Sequence, residues 1–279
     1  MMTLPDRYAV FGHPIKHSKS PRIHRMFAEQ TGQALDYSAV EVPAEQFETA
    51  VAAFFGEGGK GLNCTVPLKE LAWRYAEHKT ERAQLSKAVN TLARQADGSI
   101  LGDNTDGIGL VNDLTVNRGI ALAGIRILIL GAGGASRGII SPILEQLPQT
   151  LVIANRTEDK AVKLAAEFQA KATITGYGFD ALKNQQFDLI LNATSASLSG
   201  QLPPLPAGLL AAGGNCYDLA YGNEPTAFVR WGQENHAANS LDGLGMLVEQ
   251  AAEAFFIWRG VRPETRPVIE LLDSERKKA

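Results

Sequence analysis

The chain reads as an α/β protein of two domains, one of them a Rossmann-type, doubly wound sheet that binds a dinucleotide. Three observations lead there. Residues 125–130 form a short apolar run rich in Ile and Leu that breaks straight into Gly131, Gly133 and Gly134, and an apolar helical pattern resumes at Ile139. At 279 residues the chain is too long for one small core and fits two domains. Upstream of the glycines, about five short strand signals alternate with helices, enough for an α/β domain in its own right.

The first of these carries a chemical expectation. A strand, a glycine turn and a helix in that order cradle a pyrophosphate, because bare backbone can approach the phosphates and the first free N–H groups of the helix point at negative charge. A tight turn without a ligand is the bland alternative, and the flanking strand and helix argue against it.

Composition limits the other classes. With 45% hydrophobic and 20% charged residues the chain lies far from the disordered regime. A net charge of -3 leaves no basic surplus for a nucleic-acid backbone. The opening residues MMTLPDRYAV lack the charged and apolar regions of a secretory signal, and the run 125–130 is far shorter than a membrane span. Cys64 and Cys216 lie in apolar surroundings, and the five histidines show no metal-ligating spacing. Buried free thiols in a reducing cytoplasm are therefore expected, with no dedicated metal site.

In chain order, residues 8–12 form a first strand that opens into the polar loop HPIKHSKSP. Pro21 suits the first turn of a helix carrying Ile23, Phe27 and Ala28 inward, with Ser20 as its cap; capping does not explain Ser18 in the same way. Residues 35–42 alternate like a strand and 45–55 carry a helical stripe. In GLNCTVPLK, residues 61–69, Leu62, Cys64 and Val66 share one strand face and Asn63 and Thr65 the other. Lys69 then opens a helix, where the dipole disfavours a cation, which points to a role other than solvated charge.

The strand at 88–93 and the turn ADGSI lead to LGDNTDGIG, residues 101–109, placing Asn90, Asn104, Thr105 and Asp106 in polar loops. Asp103, Asn104 and Asp106 lack the terminal glutamate of a calcium loop. Asp106 could cap the next helix, which would leave Asn104 and Thr105 unexplained.

Beyond the glycine turn, strands are expected at 151–155, 172–176, 187–192 and 214–219, giving at least a five-stranded parallel sheet. The strand at 151–154 ends in Asn155, Arg156 and Thr157 with no carboxylate for a ribose 2′-hydroxyl. Arg156 instead offers a planar cation where a 2′-phosphate would lie, which favours NADP over NAD. Glu158 and Asp159 read as acids at a helix N-terminus. The polar run Asn192, Ala193, Thr194, Ser195 closes the next strand on the nicotinamide side. Residues 202–210 are a proline-rich connection, and 241–258 a long helix followed by a short tail.

The motif series GHPIKHSKSP, GLNCTVPLK, AVNTL, GDNTDGIG, GAGGASRG, NRT, NATS, YDLAY and DGLGMLVEQA resembles the NADP-dependent shikimate/quinate dehydrogenase family over essentially the whole chain. The resemblance implies reversible reduction of 3-dehydroshikimate to shikimate with NADPH, within aromatic amino-acid biosynthesis. It implies Lys69 and Asp106 as the catalytic pair, and Ser18, Ser20, Thr65, Asn90, Thr105, Tyr221 and Gln250 as substrate contacts. The NADP-binding set falls on Gly131, Ala132, Gly133, Gly134, Ala135, Asn155, Arg156, Thr157, Thr194 and Gly243. It further implies a substrate domain of residues 1–106 completed by 243–279, an NADP-binding domain of 107–242, and a cleft between them. A cytoplasmic monomer or homodimer acting on a small molecule, with no nucleic-acid or membrane partner, is expected.

Two departures stand out. Cys64 replaces the family's usual valine, and NATSASLSG lacks the Gly-Leu pair common after NATS, so the loop 196–200 is expected to differ in shape. A non-catalytic dinucleotide sensor would not need the Lys–Asp pair or a polyhydroxyl-binding set. A methyltransferase would want a carboxylate after the second strand. A relative accepting quinate or using NAD is the nearest competitor, and Arg156 argues against NAD.

Overall fold

A computed structural model describes residues 5–169, 173–194 and 196–276. The chain divides into two compact units, Met1–Gly109 with Val248–Glu270, and Leu110–Leu247 with Leu271–Ala279. Each of the three crossings falls inside a helix: α5 (Asp106–Asn112), α9 (Leu244–Arg259) and α10 (Arg266–Arg276). The sequence-based boundaries at 106/107 and 242/243 thus fall a few residues early. Leu271 onward groups with the second unit, where the expectation assigned everything after 243 to the first. The last helix replaces the expected short tail: Val268, Ile269 and Leu272 are buried along one stripe, and Arg276 pairs with Asp242.

In the first unit six strands lie in the order β2-β1-β3-β5-β6-β4. They are β1 (Asp6–Gly12), β2 (Leu35–Glu41), β3 (Gly61–Cys64), β4 (His78–Lys79), β5 (Thr91–Arg94) and β6 (Ile100–Asp103). β1 pairs in parallel with β2 and β3, while β5 runs antiparallel to both β3 and β6. The two-residue β4 is too short to leave a sequence pattern. Helices α1 (Ser20–Thr31), α2 (Phe47–Gly56), α3 (Lys69–Tyr75) and α4 (Glu81–Ser86) accompany the sheet. Phe11, Phe47, Val51, Leu62, Leu68 and Leu92 belong to one core cluster, each fully buried side chain contributing about 1.5–3 kcal/mol.

All four residues of β3 are buried, Asn63 among them. Two local expectations change. Val66 does not share the face of Leu62 and Cys64 but is 69% exposed, because the strand stops at Cys64 and the Thr65 carbonyl accepts from the Leu68 N–H in a turn. Ser20 is not the cap of α1 but its first residue; Lys19 holds the cap position, and Ser18 Oγ accepts from the Ser20 N–H at 3.3 Å.

The second unit is a wholly parallel six-stranded sheet in the order β12-β11-β10-β7-β8-β9. Its elements are β7 (Arg126–Leu130), α6 (Gly134–Leu144), β8 (Thr150–Asn155), α7 (Glu158–Ala166), β9 (Ile174–Gly178), β10 (Phe187–Asn192), β11 (Leu210–Asp218), α8 (Ala227–Glu234) and β12 (Asn239–Leu241). The expected strand at 172–176 begins at Ile174; Ala172 lies outside the described residues. β7 is flanked by β8 on one side and β10 on the other, so the chain reverses its winding at the carboxyl end of β7, where such sheets bind ligands. Among the described residues no helix is long and apolar enough to cross a membrane.

Burial disarms both thiols, raising the pKa of Cys64 far above its ordinary value and pushing that of Cys216 up to about 12. His24 is the opposite case. It is 1% exposed on α1 and stacks on Tyr37 with ring centroids 4.2 Å apart. Neither of its ring nitrogens has a hydrogen-bond partner among the described residues, and burial pulls its pKa from 6.5 down to about 3. The unfolded chain therefore takes up a proton below pH 6.5 that the folded chain refuses until about pH 3. The stability that depends on neutral His24 is complete above that window and is lost as pH falls through it, at about 1.4 kcal/mol per pH unit. In urea denaturation, His24→Phe should show a shallower loss of stability between pH 6.5 and pH 4.5 than the parent. Parallel curves for the two proteins would contradict this.

Candidate active site

Lys69 and Asp106 each open a helix, α3 and α5, and meet at 2.5 Å between Nζ and Oδ2. Their side chains are 29% and 13% exposed, so the pair is shielded from water but not sealed off. The other Asp106 oxygen, Oδ1, accepts from Asn90 Nδ2 at 2.8 Å. Asp106 does not cap α5 as the bland reading had it; its own N–H donates to Asn104 Oδ1 at 3.1 Å, so Asn104 plays that part. Asn90 Nδ2 also lies 2.9 Å from Thr105 Oγ1 and 3.3 Å from Gln250 Oε1 on α9. Five of the expected residues, Lys69, Asn90, Thr105, Asp106 and Gln250, thus form one hydrogen-bonded cluster.

Ser18, Ser20 and Thr65 belong to the same unit. Ser18 is tied into the turn before α1 through its N–H to the Ile15 carbonyl. Ser20, 8% exposed, interacts with the Tyr37 hydroxyl, which donates to Asn63 Oδ1 at 2.7 Å. Thr65 sits four residues before Lys69 with its N–H bound to the Phe11 carbonyl, leaving its side chain half-buried. These are two hydroxyls at one helix start and one at another, all anchored through backbone.

In the second unit the glycine turn separates into two kinds of glycine. Gly131 has φ +102°, and a Cβ there would lie 3.2 Å from the Ala193 carbonyl oxygen, so the fold itself requires glycine. Gly133 and Gly134 have no such constraint, since a Cβ on either would meet no atom within 4 Å. The turn ends in α6, whose cap Gly133 makes no side-chain hydrogen bond and whose first turn carries no acid. Free N–H groups, exposed backbone at residues 133–135 and absence of negative charge fit the pyrophosphate of a dinucleotide. Ala132 is half-buried and Ala135 exposed, both without a bulky side chain to cover those amides.

At the end of β8, Asn155 turns its Nδ2 onto the Thr157 carbonyl at 2.9 Å and Thr157 holds the cap position of α7, which leaves Arg156 exposed. Glu158 and Asp159 stand in the first turn of α7 as expected. Thr194 is held locally: its Oγ1 donates to Asn192 Oδ1 at 2.7 Å and accepts from the Ala196 N–H. The loop after Thr194 contains one 3-10 turn, Ala196–Ser199; Ser195 lies outside the described residues. Gly243 is required by packing, because a Cβ would fall 2.2 Å from the Leu219 carbonyl oxygen. Tyr221 is half-buried, and burial with the negative charge of Asp242 raises its pKa, keeping the hydroxyl a neutral donor.

Several residues that organise the site were not among the expected site residues, Asn63, Thr91 and Asp103 standing inside the quoted motifs and Arg82 and Glu253 outside them. Asn63 and Thr91 lie beneath Asn90. Asp103 is held by Arg82 through two bonds of 2.7 Å, and Arg82 also reaches Glu253 at 3.0 Å. In the second unit the buried Asp218 accepts from Asn192, Thr226 and the Ala220 N–H, tying together the ends of β10 and β11. Burial raises the pKa of Asp218 against these bonds, which lower it. The signal available for Asp103, Asn192 and Asp218 was a polar residue at the end of an apolar strand. Among the described residues there is no group of His, Cys, Asp and Glu that could hold a metal ion.

Residues 10–92 match the shikimate dehydrogenase substrate binding domain, 114–199 the shikimate / quinate 5-dehydrogenase model, and 243–272 the shikimate 5'-dehydrogenase C-terminal domain. The chain belongs to the shikimate dehydrogenase family. A shikimate dehydrogenase (NADP(+)) of Methylococcus capsulatus is 64% identical over 278 residues, with 100% of both chains covered. Among solved structures, an Ael1 enzyme from Pseudomonas putida is 50% identical with a TM-score of 0.89, covering 96% of this chain and 98% of its own. The shikimate 5-dehydrogenase of Thermus thermophilus, solved with NADP(H) and shikimate, is 32% identical with a TM-score of 0.85, covering 97% and 99%.

For this family member the two kinds of glycine predict different outcomes. Gly131→Ala should lose about 1–2 kcal/mol of stability, since it forces a side chain into a left-handed conformation beside backbone. Gly133→Ala should unfold within a degree or so of the parent, its site being open. Thermal melts of the two variants test the distinction, and equal melting temperatures would refute it.

Proposed function

We propose that the chain catalyses the reversible NADPH-dependent reduction of 3-dehydroshikimate to shikimate, with Lys69 and Asp106 acting at the reacting oxygen. The observation that carries this reading is the 2.5 Å ammonium–carboxylate pair set among hydrogen-bonding groups suited to a polyhydroxylated ring. Membership of the family and the NADP-suited cradle support it.

Reduction delivers hydride to the ketone carbon and a proton to its oxygen. NADPH, when bound, supplies the hydride. Negative charge growing on the oxygen needs a cation or acid close by, and the Lys69 ammonium supplies both charge and proton. Asp106 accepts from that ammonium through Oδ2, which orients it and leaves its other protons free to face the substrate. In the reverse direction the neutral Lys69 amine takes the proton of the alcohol. Asn90, Thr105 and Gln250 offer donors and acceptors in fixed directions for the ring hydroxyls, with Thr65 completing the set. Ser18, Ser20 and Tyr221 hold the carboxylate through neutral hydroxyls.

On the cofactor side, residues 131–135 and the first turn of α6 hold the pyrophosphate. Arg156 pairs with the 2′-phosphate, flanked by Asn155 and Thr157, and Thr194 and Gly243 line the nicotinamide end. The buried thiols suit a reducing compartment, and the enzyme works in the cytoplasm as a monomer or homodimer.

Lys69→Ala should lower kcat for shikimate oxidation about 10²–10⁴-fold with a smaller change in KM; a near-normal kcat would remove Lys69 from the chemistry. The same assay run with quinate and with NAD fixes the substrate and cofactor preference. Arg156→Ala should raise KM for NADP about ten- to a hundredfold, the worth of a charge-assisted phosphate contact, and leave that for NAD nearly unchanged. Equal weakening for both cofactors would give Arg156 another purpose.

A further inference from the structure

Beneath Asn90 runs a line of buried polar side chains, Thr91, Asn63 and Tyr37, at 0%, 6% and 7% exposure. Asn63 and Thr91 face each other across the antiparallel pair β3 and β5. An apolar cross-strand pair would serve the sheet equally well, and buried polar groups cost free energy unless every partner is supplied. Here the partners lead to the catalytic carboxylate. We propose that Asn63 and Thr91 are positioning residues, which lock the Asn90 carboxamide with its Nδ2 group toward Asp106. The inference rests on the dehydrogenase reading given above.

A carboxamide donates at one end and accepts at the other, and only one orientation suits Asp106. With Nδ2 forward, Asn90 donates to Asp106 Oδ1 at 2.8 Å. Turned over, it would set its own oxygen against the carboxylate.

The surrounding bonds dictate the choice step by step. The Asn90 backbone carbonyl can only accept, so Asn63 turns its Nδ2 toward it, at 3.0 Å. Asn63 Oδ1 then faces Tyr37, whose hydroxyl donates to it at 2.7 Å. The same Nδ2 reaches Thr91 Oγ1 at 3.1 Å, which engages the hydroxyl as acceptor and leaves its proton for Asn90 Oδ1 at 2.9 Å. The Thr105 N–H donates to that oxygen as well, at 2.9 Å. Donors therefore converge on Oδ1, and Nδ2 is left for Asp106, Thr105 Oγ1 and Gln250 Oε1. Asn63 holds the backbone of Asn90 directly and its side chain through Thr91. Closed networks of this kind are rigid because each bond fixes the direction of the next.

The test uses the near-isosteric Thr91→Val, the hydroxyl-keeping Thr91→Ser, and Asn63→Ala. In the ligand-free protein, hydrogen exchange of the Asn90 side-chain amide, followed by NMR, should accelerate about tenfold or more in Thr91→Val and Asn63→Ala, and stay near the parent rate in Thr91→Ser. With shikimate and NADP, the first two should lose about ten- to a hundredfold in kcat, as misplaced catalytic groups do. Thr91→Ser should remain within about threefold of the parent. NADP affinity, measured by fluorescence without substrate, should stay within about twofold in all three. Unchanged amide exchange in folded Thr91→Val, or a Thr91→Ser protein as impaired as Thr91→Val, would overturn the proposal. A parent protein that does not oxidise shikimate would defeat the dehydrogenase reading instead, and the amide exchange would still decide this one.

Discussion

The Asp106 carboxylate, largely withdrawn from water, must be satisfied on every side, and much of the first unit is arranged to do so. Its oxygens take the Lys69 ammonium and the Asn90 carboxamide, and its N–H is bound by Asn104. The same need extends along the segment that carries it. Asn104 is fixed by the Ala88 carbonyl and Ser86, Thr105 by Asn90, and Asp103 by the two-pronged grip of Arg82. Four consecutive residues are thus held by side chains from α3 and α4 and by the loop between α4 and β5. That rigidity keeps a short ammonium–carboxylate contact in place near solvent, where two flexible chains would otherwise give little net stabilisation.

The cradle of the second unit is built on the opposite principle. Where the active-site loop is filled with polar partners, the turn after β7 is kept bare. Gly131 is there for its backbone conformation and its closeness to residue 193, and Ser136 caps its carbonyl at 2.8 Å. Gly133 and Gly134 meet nothing, and their value lies in leaving amides uncovered. The start of α6 carries neither a capping side chain nor an acid, so nothing on it would repel an anion.

Helices carry the chain between the units, and the second unit grips one of them at its start. Tyr217, fully buried, donates to Asp113 Oδ2 at 2.8 Å and accepts from the Met246 N–H at 3.1 Å. Gly245 has no room for a side chain, since a Cβ would lie 2.1 Å from the same carboxylate. Gln250 follows on that helix one turn further, within the first unit. In that unit Glu253, near the middle of α9, is paired with Arg82 and Arg262.

Much of this was legible in the residues alone. The apolar run before the glycines, the bare turn, Arg156 without a neighbouring carboxylate at the strand tip, and a lysine at a helix start all state their chemistry locally, because strand period, turn geometry and charge are properties of neighbouring residues. The motif resemblance brought Lys69, Asp106 and Gln250 together across long separations. Tertiary structure alone decided the rest. Asn63 became a buried partner of Asn90, because the pairing of β3 with β5, far apart in sequence, sets it opposite Thr91 and beside the Asn90 carbonyl. At the start of α1 Lys19 takes the cap position expected of Ser20, and at the start of α5 Asn104 rather than Asp106 accepts from a backbone N–H, since a cap is defined by where the backbone turns rather than by residue type. The last helix and the short strands β4 and β12 escaped notice because their stability comes from neighbours distant in sequence. Which carboxamide faces which carboxylate is likewise a property of the closed hydrogen-bond network, and no single stretch of chain contains it.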